Sequence, residues 1–147
     1  MSVAMRPILA AEDEETDRFI LNLAFERAQL PHPLVTVCSG KECVDYLSGV
    51  ESCVDRPLHP LPALLLLDLK MPGMHGFEVL EWLVTRPKFK DLPVVVLSSS
   101  SDASDIQKAL QLGARDYIVK PHSLDELVKV LQKLHERWLS VGNEFQR

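Results

Sequence analysis

The amino-acid sequence predicts an α/β fold, a (βα)5 doubly wound parallel sheet with helices on both faces. Short apolar runs alternate with amphipathic stretches five times along the chain, which is typical of parallel strands joined by crossover helices. The apolar runs are nearly continuous, as strands buried on both faces require. With 147 residues, 46% of them hydrophobic, the chain is large enough to form one domain with its own core. We therefore expect a single domain over residues 1–147.

The apolar runs predict five strands, and the stretches after them predict five helices. We expect strands at Ile8–Ala11, Leu34–Val37, 63–67, 94–97 and 117–119. Apolar residues at spacings of three and four mark the helices. They are Phe19, Ile20, Leu23, Ala24 and Phe25 in the first helix, Cys43, Val44 and Leu47 in the second, Phe77, Leu80, Leu83 and Val84 in the third, Ile106, Ala109 and Leu110 in the fourth, and Leu124, Leu127, Val128, Leu131, Leu134 and Trp138 in the fifth.

Local signals place several ends of these helices. Ser39 with Glu42, and Ser123 with Glu126, have the spacing of capping boxes at the starts of the second and fifth helices. Gly113 ends the fourth helix. The segment 49–62 contains three prolines, and we expect it to be a surface loop without regular structure.

Composition limits the classes of function. The 16 basic and 21 acidic residues give a formal charge of −5, which provides no electrostatic footprint for nucleic acid. The three cysteines, Cys38, Cys43 and Cys53, have no C-x-x-C spacing, and the first residues lack the apolar core of a signal peptide. We expect reduced thiols in a cytoplasmic protein. The longest apolar run, at 62–67, is too short to span a bilayer.

Polar residues follow four of the predicted strands and suggest a site. Glu12 and Asp13 follow the first strand, Asp68 the third, Ser98 the fourth and Lys120 the fifth. Ligands of such sheets bind outside the carboxyl ends of the strands, so these side chains should converge. Three carboxylates repel one another unless a divalent cation lies among them, and hard oxygen ligands suit Mg²⁺. With a lysine and a hydroxyl beside them, they predict a phosphoryl-transfer site with a carboxylate nucleophile.

Each of these residues also has a simpler interpretation. Glu12 and Asp13 could favour a helix N-terminus by their charge, Lys120 could be a solvated turn residue, and Ser98 is one of four consecutive serines. Their joint occurrence at four strand ends is what indicates a site.

Four sequence motifs carry a resemblance to the receiver family of two-component response regulators. They are ILAAED at 8–13, LLLLDLKMPG at 64–73 with Gly76, PVVVLSS at 93–99 and GARDYIVKP at 113–121. The resemblance covers about residues 7–134, with 135–147 as a C-terminal extension. It implies a flavodoxin-like sheet of order 2-1-3-4-5.

The resemblance also implies a role for each site residue. Asp68 would accept a phosphoryl group from a sensor histidine kinase, and Lys120 would bind a phosphoryl oxygen. Mg²⁺ would be held by Asp13, Asp68 and the backbone carbonyl of Lys70, with Glu12 acting largely through metal-bound water. Ser98 and Tyr117 would be the switch residues that respond to phosphorylation, and the Lys120–Pro121 peptide bond would be cis.

Departures from the minimal family pattern suggest a subgroup. His122 after Pro121, the long 49–62 segment and the sequence LHERWL at 134–139 resemble receivers that partner bacterial and cyanobacterial phytochromes. For His122 itself, the interpretation we favour is a surface residue at a helix start. Trp138, Leu139, Val141 and Phe145 could pair two protomers as a homodimer, or the tail could fold back on its own domain.

We therefore predict a phosphorylation switch and not an enzyme that turns over a substrate. Three other functions are alternatives to this prediction. A haloacid-dehalogenase-type phosphatase also uses a strand-end aspartate with Mg²⁺, but it needs an acid two residues later, where this chain has Lys70. A nucleotide-binding module needs a glycine-rich turn after the first strand, where the stretch 10–15 has no glycine and ends in four acidic residues. An unphosphorylated, receiver-like interaction module would not need the intact acidic set.

Overall fold

The computed structural model describes residues 5–52 and 60–139. Five strands alternate with five helices along the chain, as predicted. The strands are β1 Ile8–Ala11, β2 Leu34–Val37, β3 Leu64–Leu67, β4 Val94–Ser98 and β5 Asp116–Val119, and the helices are α1 Glu15–Ala28, α2 Gly40–Ser52, α3 Gly76–Val84, α4 Ala103–Gln111 and α5 Leu124–Leu134. A 3₁₀ turn at Pro87–Phe89 precedes β4, and a π-helical turn at His135–Leu139 follows α5.

All strand pairs are parallel, and the sheet order is β2-β1-β3-β4-β5. The predicted fold class and order are confirmed. Successive strand residues point to opposite faces of the sheet, and two separate cores result. Leu9, Leu65 and Val96 belong to the core that includes residues of α2 and α3. Ile8 and Leu66 belong to the core beneath α1 and α5. The sheet thus aligns the carboxyl ends of its strands along one edge.

The middle of the chain corrects one prediction. The segment 49–62 was expected to lack regular structure, but α2 continues through Gly49 to Ser52. Within this segment no proline occurs before Pro57, so nothing removes a backbone donor from the helix over residues 49–52. Residues 53–59, including Cys53, lie outside the described part of the chain.

Helix α1 corrects a second prediction, because its buried face differs from the expected one. Leu21, Ala24 and Phe25 are buried, but Phe19 is 64% exposed and Ile20 is 37% exposed. Consecutive apolar residues cannot all face one side of a helix, and the two exposed ones lie in the first half of α1. The expected stop of α4 is confirmed, since Gly113 follows this helix with φ of 108°.

The two predicted helix starts differ in detail. The Ser123 hydroxyl accepts a hydrogen bond from the Glu126 amide at 3.1 Å, and the Ser39 hydroxyl accepts one from the Glu42 amide at 3.1 Å. The Glu42 carboxylate reaches one residue further back than in a capping box, to the Cys38 amide at 2.7 Å. Both serines therefore cap their helices as expected.

The C-terminal segment packs on its own domain as far as it is described. Leu139 is buried, and Trp138 packs against the core beneath α1 and α5. These two residues therefore fold back on their own domain, which was one of the two predicted alternatives. Val141 and Phe145 lie outside the described residues. No helix in the described ranges is both long enough and apolar enough to cross a membrane.

Candidate functional site

The predicted acidic residues meet at the carboxyl edge of the sheet. The strand ladder continues past β1 and β3, because the Glu12 amide donates to the Val37 carbonyl at 3.0 Å and the Asp68 amide donates to the Ala11 carbonyl at 3.1 Å. One carboxylate oxygen of each of Glu12, Asp13 and Asp68 lies within 4.8 Å of the others. Glu12 and Asp68 are each 5% exposed. The backbone thus fixes a compact set of carboxylates, of which Glu12 and Asp68 are buried and Asp13 is half-buried.

Lys120 brings one positive charge to this set, just after the end of β5. Its Nζ lies 2.6 Å from Glu12 Oε1, 2.8 Å from Asp17 Oδ2 and 3.1 Å from Asp68 Oδ2. An ammonium group has three N–H donors, and all three have a carboxylate acceptor. The Lys120 amide also donates to the Ser98 carbonyl at 2.8 Å. The lysine is therefore fixed at its backbone and at its tip.

Burial and charge shift the pKa of both partners. Burial raises the pKa of Glu12 from 4.5 to about 7, and the Asp68 charge adds to the rise, while hydrogen bonds from Lys120 and the Glu14 amide oppose it. For Lys120, burial alone would lower the pKa, but the hydrogen bonds to Asp17 and Glu12 and the charge of Asp68 raise it above its ordinary value. Lys120 therefore stays charged at neutral pH, and a cation bound at the site would favour the charged form of Glu12.

The backbone around Asp68 is closely packed. Gly76 donates its amide to the Leu69 carbonyl at 3.0 Å, and a Cβ at this glycine would lie 2.5 Å from the Asp68 carbonyl oxygen. No side chain larger than hydrogen fits there without moving the Asp68 backbone. The Lys70 amide donates to Asp68 Oδ1 at 3.3 Å, and the Lys70 residue is exposed.

Ser98 and Tyr117 are joined through Ser100. Ser98 is fully buried at the end of β4, and its Oγ accepts a hydrogen bond from the Ser100 amide at 3.2 Å. The Tyr117 hydroxyl donates to the Ser100 carbonyl at 2.8 Å, and the Ser100 hydroxyl donates to Asp105 at 2.7 Å. A chain of hydrogen bonds thus connects the strand-end serine with α4 and β5.

Two residues of the site were not predicted from the sequence. Asp17 supplies a third carboxylate to Lys120, and Arg18 Nη1 donates to the carbonyl oxygens of Glu12 and Asp13 at 2.9 Å each. Both lie in the first turns of α1. Helical side chains point back toward the helix N-terminus, so an acid and a base placed just after a strand-end acid pair are the signal that could have revealed them.

The expected cis peptide at Lys120–Pro121 is a wrong prediction. The described chain contains no cis peptide bond, so this bond has the trans form that X–Pro bonds intrinsically favour. His122 is exposed, which fits the interpretation of a surface residue at a helix start.

The fold and the site together define a class. A doubly wound α/β domain with a buried aspartate, an acid pair and a lysine at the carboxyl ends of its strands has the layout of an acidic phosphoryl-transfer site.

Comparison with known proteins identifies the family. Residues 8–132 match the response regulator receiver domain, and the chain belongs to that family. It is 31% identical over 132 residues to the probable methanogenesis regulatory protein FilR2 of Methanothrix harundinacea, covering 90% of this chain and 83% of FilR2. It is 30% identical over 132 residues to the response regulator Rcp1 of Synechocystis, covering 90% of this chain and 88% of Rcp1. The chain is thus a receiver domain of two-component signalling, which acts as a phosphoacceptor switch.

Similar solved structures support the resemblance to the phytochrome-associated subgroup. Response regulator RPA3017, in red light signaling of R. palustris, superimposes with a TM-score of 0.84 at 34% identity, covering 92% of this chain and 95% of that one. The phosphorylated cyanobacterial phytochrome response regulator RcpA superimposes with a TM-score of 0.80 at 34% identity, covering 93% of this chain and 96% of that one. The Mn²⁺-bound form of Rcp1 superimposes with a TM-score of 0.78 at 28% identity, covering 93% of this chain and 96% of that one. The sequence prediction of the family and of its phytochrome-associated subgroup is therefore confirmed.

Proposed function

We propose that Asp68 is the phosphoacceptor of this receiver, with a phosphohistidine of a sensor histidine kinase as the donor. The observation that supports this most directly is the Asp68 carboxylate itself, 5% exposed and 3.1 Å from the Lys120 ammonium. An Asp68 oxygen attacks phosphorus, the bond from phosphorus to the kinase histidine breaks, and an acyl phosphate forms on Asp68. Lys120 then donates to a phosphoryl oxygen in place of the Asp68 oxygen.

The donor set fits a divalent cation with hard ligands. Glu12, Asp13 and Asp68 offer only carboxylate oxygens within 4.8 Å of one another, which are ligands that suit Mg²⁺ and Mn²⁺. We propose Mg²⁺ as the resident ion, held by Asp13, Asp68 and the Lys70 carbonyl, with Glu12 acting largely through metal-bound water. When bound, the ion neutralises charge on the transferring phosphoryl oxygens.

We further propose that Ser98 and Tyr117 transmit the phosphorylated state. Phosphorylation adds about two negative charges and strong acceptor oxygens at Asp68. The Ser98 hydroxyl accepts from the Ser100 amide and can still donate its own proton. If the Ser98 hydroxyl turns toward the phosphoryl group, it loses its hydrogen bond from the Ser100 amide. Tyr117 is then affected too, because its hydroxyl donates to the Ser100 carbonyl. A change at Asp68 therefore reaches α4 and β5.

A phosphatase of the haloacid-dehalogenase type is the weaker alternative. The position two residues after Asp68 is Lys70, which has no carboxyl to serve as a general acid. We therefore propose a stored phosphoryl group rather than an enzyme of turnover, and the intact acidic set argues against an interaction module that works without phosphorylation.

We propose a phytochrome-type kinase as partner, because structures similar to this chain are phytochrome response regulators. The partly exposed Ile20 of α1 lines a cavity together with Asp17 and Lys120, so an apolar side chain borders the site. The free thiols of Cys38 and Cys43 suit the reducing cytoplasm, where we place the protein. With a formal charge of −5, we expect output through protein contacts rather than nucleic acid.

A phosphotransfer assay tests this function. An autophosphorylated phytochrome-type histidine kinase is mixed with this protein in Mg²⁺, and the phosphoryl group is followed by gel mobility and intact mass. We expect transfer to one residue of the receiver and none with a chelator in place of Mg²⁺, because the clustered carboxylates then repel the incoming phosphoryl oxygens. Equal transfer with and without the chelator would contradict the metal proposal. No transfer from any such kinase, with labelling by acetyl phosphate intact, would contradict the partner only.

We also propose a homodimer through α5 and the C-terminal extension, with the exposed edge of β5 and the neighbouring α4 at the same interface. β5 is an edge strand of the sheet, and Val119 on it and Leu110 on α4 are 41% and 46% exposed. Apolar residues beside an open strand edge favour pairing with a second copy. Light scattering should give a mass near twice 16.6 kDa for the full chain, and a lower mass for a chain ending at Leu139 and for Leu110→Glu. A monomeric full chain at high protein concentration would refute the dimer.

A further inference from the structure

A buried histidine far from the phosphorylation site has one unsatisfied ring nitrogen. His32 immediately precedes the Pro33–Leu34 start of β2 and is 7% exposed. Its Nδ1 lies 2.7 Å from the Arg6 carbonyl oxygen. A carbonyl oxygen can only accept a hydrogen bond, so Nδ1 carries the proton. In the neutral ring, Nε2 then carries a lone pair.

This lone pair has no donor in the part of the chain that the structure describes. Nε2 is buried and receives no hydrogen bond from those residues. An unsatisfied buried polar atom costs about 1–3 kcal/mol, so a group that binds the Nε2 lone pair would stabilise the folded domain. The arrangement is the one found in metal-binding histidines, which almost always donate their other ring N–H to a backbone carbonyl or a carboxylate and thereby fix the tautomer.

A second imidazole lies beside the first. The ring centroids of His32 and His135 are 5.8 Å apart, with 61° between the planes. Two imidazoles bound to one tetrahedral Zn²⁺ at the usual Zn–N length have ring centres about 5 Å apart. His135 is also the first residue of the π-helical turn His135–Leu139, and π turns occur frequently at functional sites.

The surface next to His32 is accessible to an ion. A cavity of about 260 Å³ borders His32 and is also lined by Asn22 and Glu26 of α1. It provides a path to His32 for an ion and for water. Among the described residues, only the Glu12, Asp13 and Asp68 cluster offers three protein ligands at one point. A site at His32 would therefore be an open one with two protein ligands.

We propose that His32 and His135 bind a borderline transition-metal ion, with Zn²⁺ as the expected species, at the edge of the sheet opposite Asp68. Imidazole nitrogen suits Zn²⁺ and Cu²⁺ and disfavours Mg²⁺, so this site and the carboxylate site select different ions. The bound ion links the start of β2 to the end of α5, and thus anchors the segment from which the C-terminal extension continues.

Zinc titration of the full-length protein tests the site. The experiment uses a chain carrying Cys38→Ser and Cys53→Ser, so that these thiols do not compete, with Mg²⁺ in excess to fill the carboxylate site. Long-range ¹H–¹⁵N spectra of the imidazoles should show the Nδ1–H tautomer of His32 before zinc is added and a shift of Nε2 afterwards. Calorimetry should show binding that weakens at least about tenfold in His32→Gln and in His135→Gln, and that is unchanged in the exposed-histidine control His122→Gln.

The outcomes separate the explanations. Zinc binding that survives in His135→Gln, or that leaves the His32 Nε2 resonance unmoved, overturns the proposal. A resonance pattern in which the two rings exchange a proton and zinc has no effect identifies a histidine pair without a metal, and overturns it as well. Should His32→Gln fail to fold, the half-buried His135→Gln decides the question alone.

Discussion

Asp68→Asn will not be phosphorylated by acetyl phosphate in Mg²⁺, whereas the wild-type protein will. The substitution replaces the attacking carboxylate oxygen with a neutral amide, and it removes one of the three carboxylates that lie within 4.8 Å of one another. Loss of a nucleophile lowers the rate of such reactions by about 1000-fold or more. The measurement is intact mass, together with the sensitivity of the label to hydroxylamine, which cleaves acyl phosphates.

The matched control for this variant is Asp45→Asn on α2. Asp45 is 60% exposed and pairs only with Lys41 at 2.9 Å in the described contacts, an ion pair worth less than about 1 kcal/mol. We expect it to be labelled like the wild type. If Asp68→Asn carried as much hydroxylamine-sensitive label as the wild type, a residue other than Asp68 would be the phosphoacceptor.

Lys120→Ala will accept the phosphoryl group about 100-fold more slowly than the wild type. The ammonium contacts Glu12, Asp17 and Asp68 at once, so its loss leaves these carboxylates without their cation and the phosphoryl oxygens without a donor. The rate of labelling by acetyl phosphate measures this. Asp17→Asn keeps an oxygen acceptor for Lys120 but removes one charge at a side chain that is 36% exposed, and we expect a smaller loss of about three- to tenfold.

The exposed lysine of α2 provides the control for the lysine variant. Lys41→Ala removes a positive charge from a side chain that is 78% exposed, so its labelling rate should not change. Lys120→Arg keeps the positive charge in a different geometry, and we expect its labelling rate to lie between those of Lys120→Ala and the wild type. A Lys120→Ala protein that is folded by circular dichroism and labelled at the wild-type rate would show that Lys120 has no part in the reaction.

The sequence predicted the strand-end residues of the site, for a physical reason. In a doubly wound sheet the carboxyl ends of all strands face one crevice, so Asp13, Asp68 and Lys120 could be placed together once the five apolar runs were recognised. Asp17 could not be placed in this way. It lies on a helix, and its contact with Lys120 depends on how α1 packs against the sheet, which the periodicity of α1 does not reveal.

The errors in the fold prediction also have local causes. Phe19 and Ile20 look like core residues in the sequence, but Leu21 fills the buried position of that turn. The proline content of 49–62 suggested a loop from its first residue, whereas the prolines act only from Pro57 onward and α2 reaches Ser52. The isomer at Pro121 was inferred from family resemblance, and a sequence alone does not determine it.

The contact between Lys120 and the two acids near the start of the chain has a consequence for folding. Lys120 is 108 positions from Glu12 and 103 from Asp17 in the sequence, and contacts of such separation form only after a large loss of chain entropy has been compensated by other packing. The ion pairs of the site therefore cannot assemble in a partly folded chain that lacks β5. A chain must therefore complete its sheet before Lys120 can assist the transfer of a phosphoryl group.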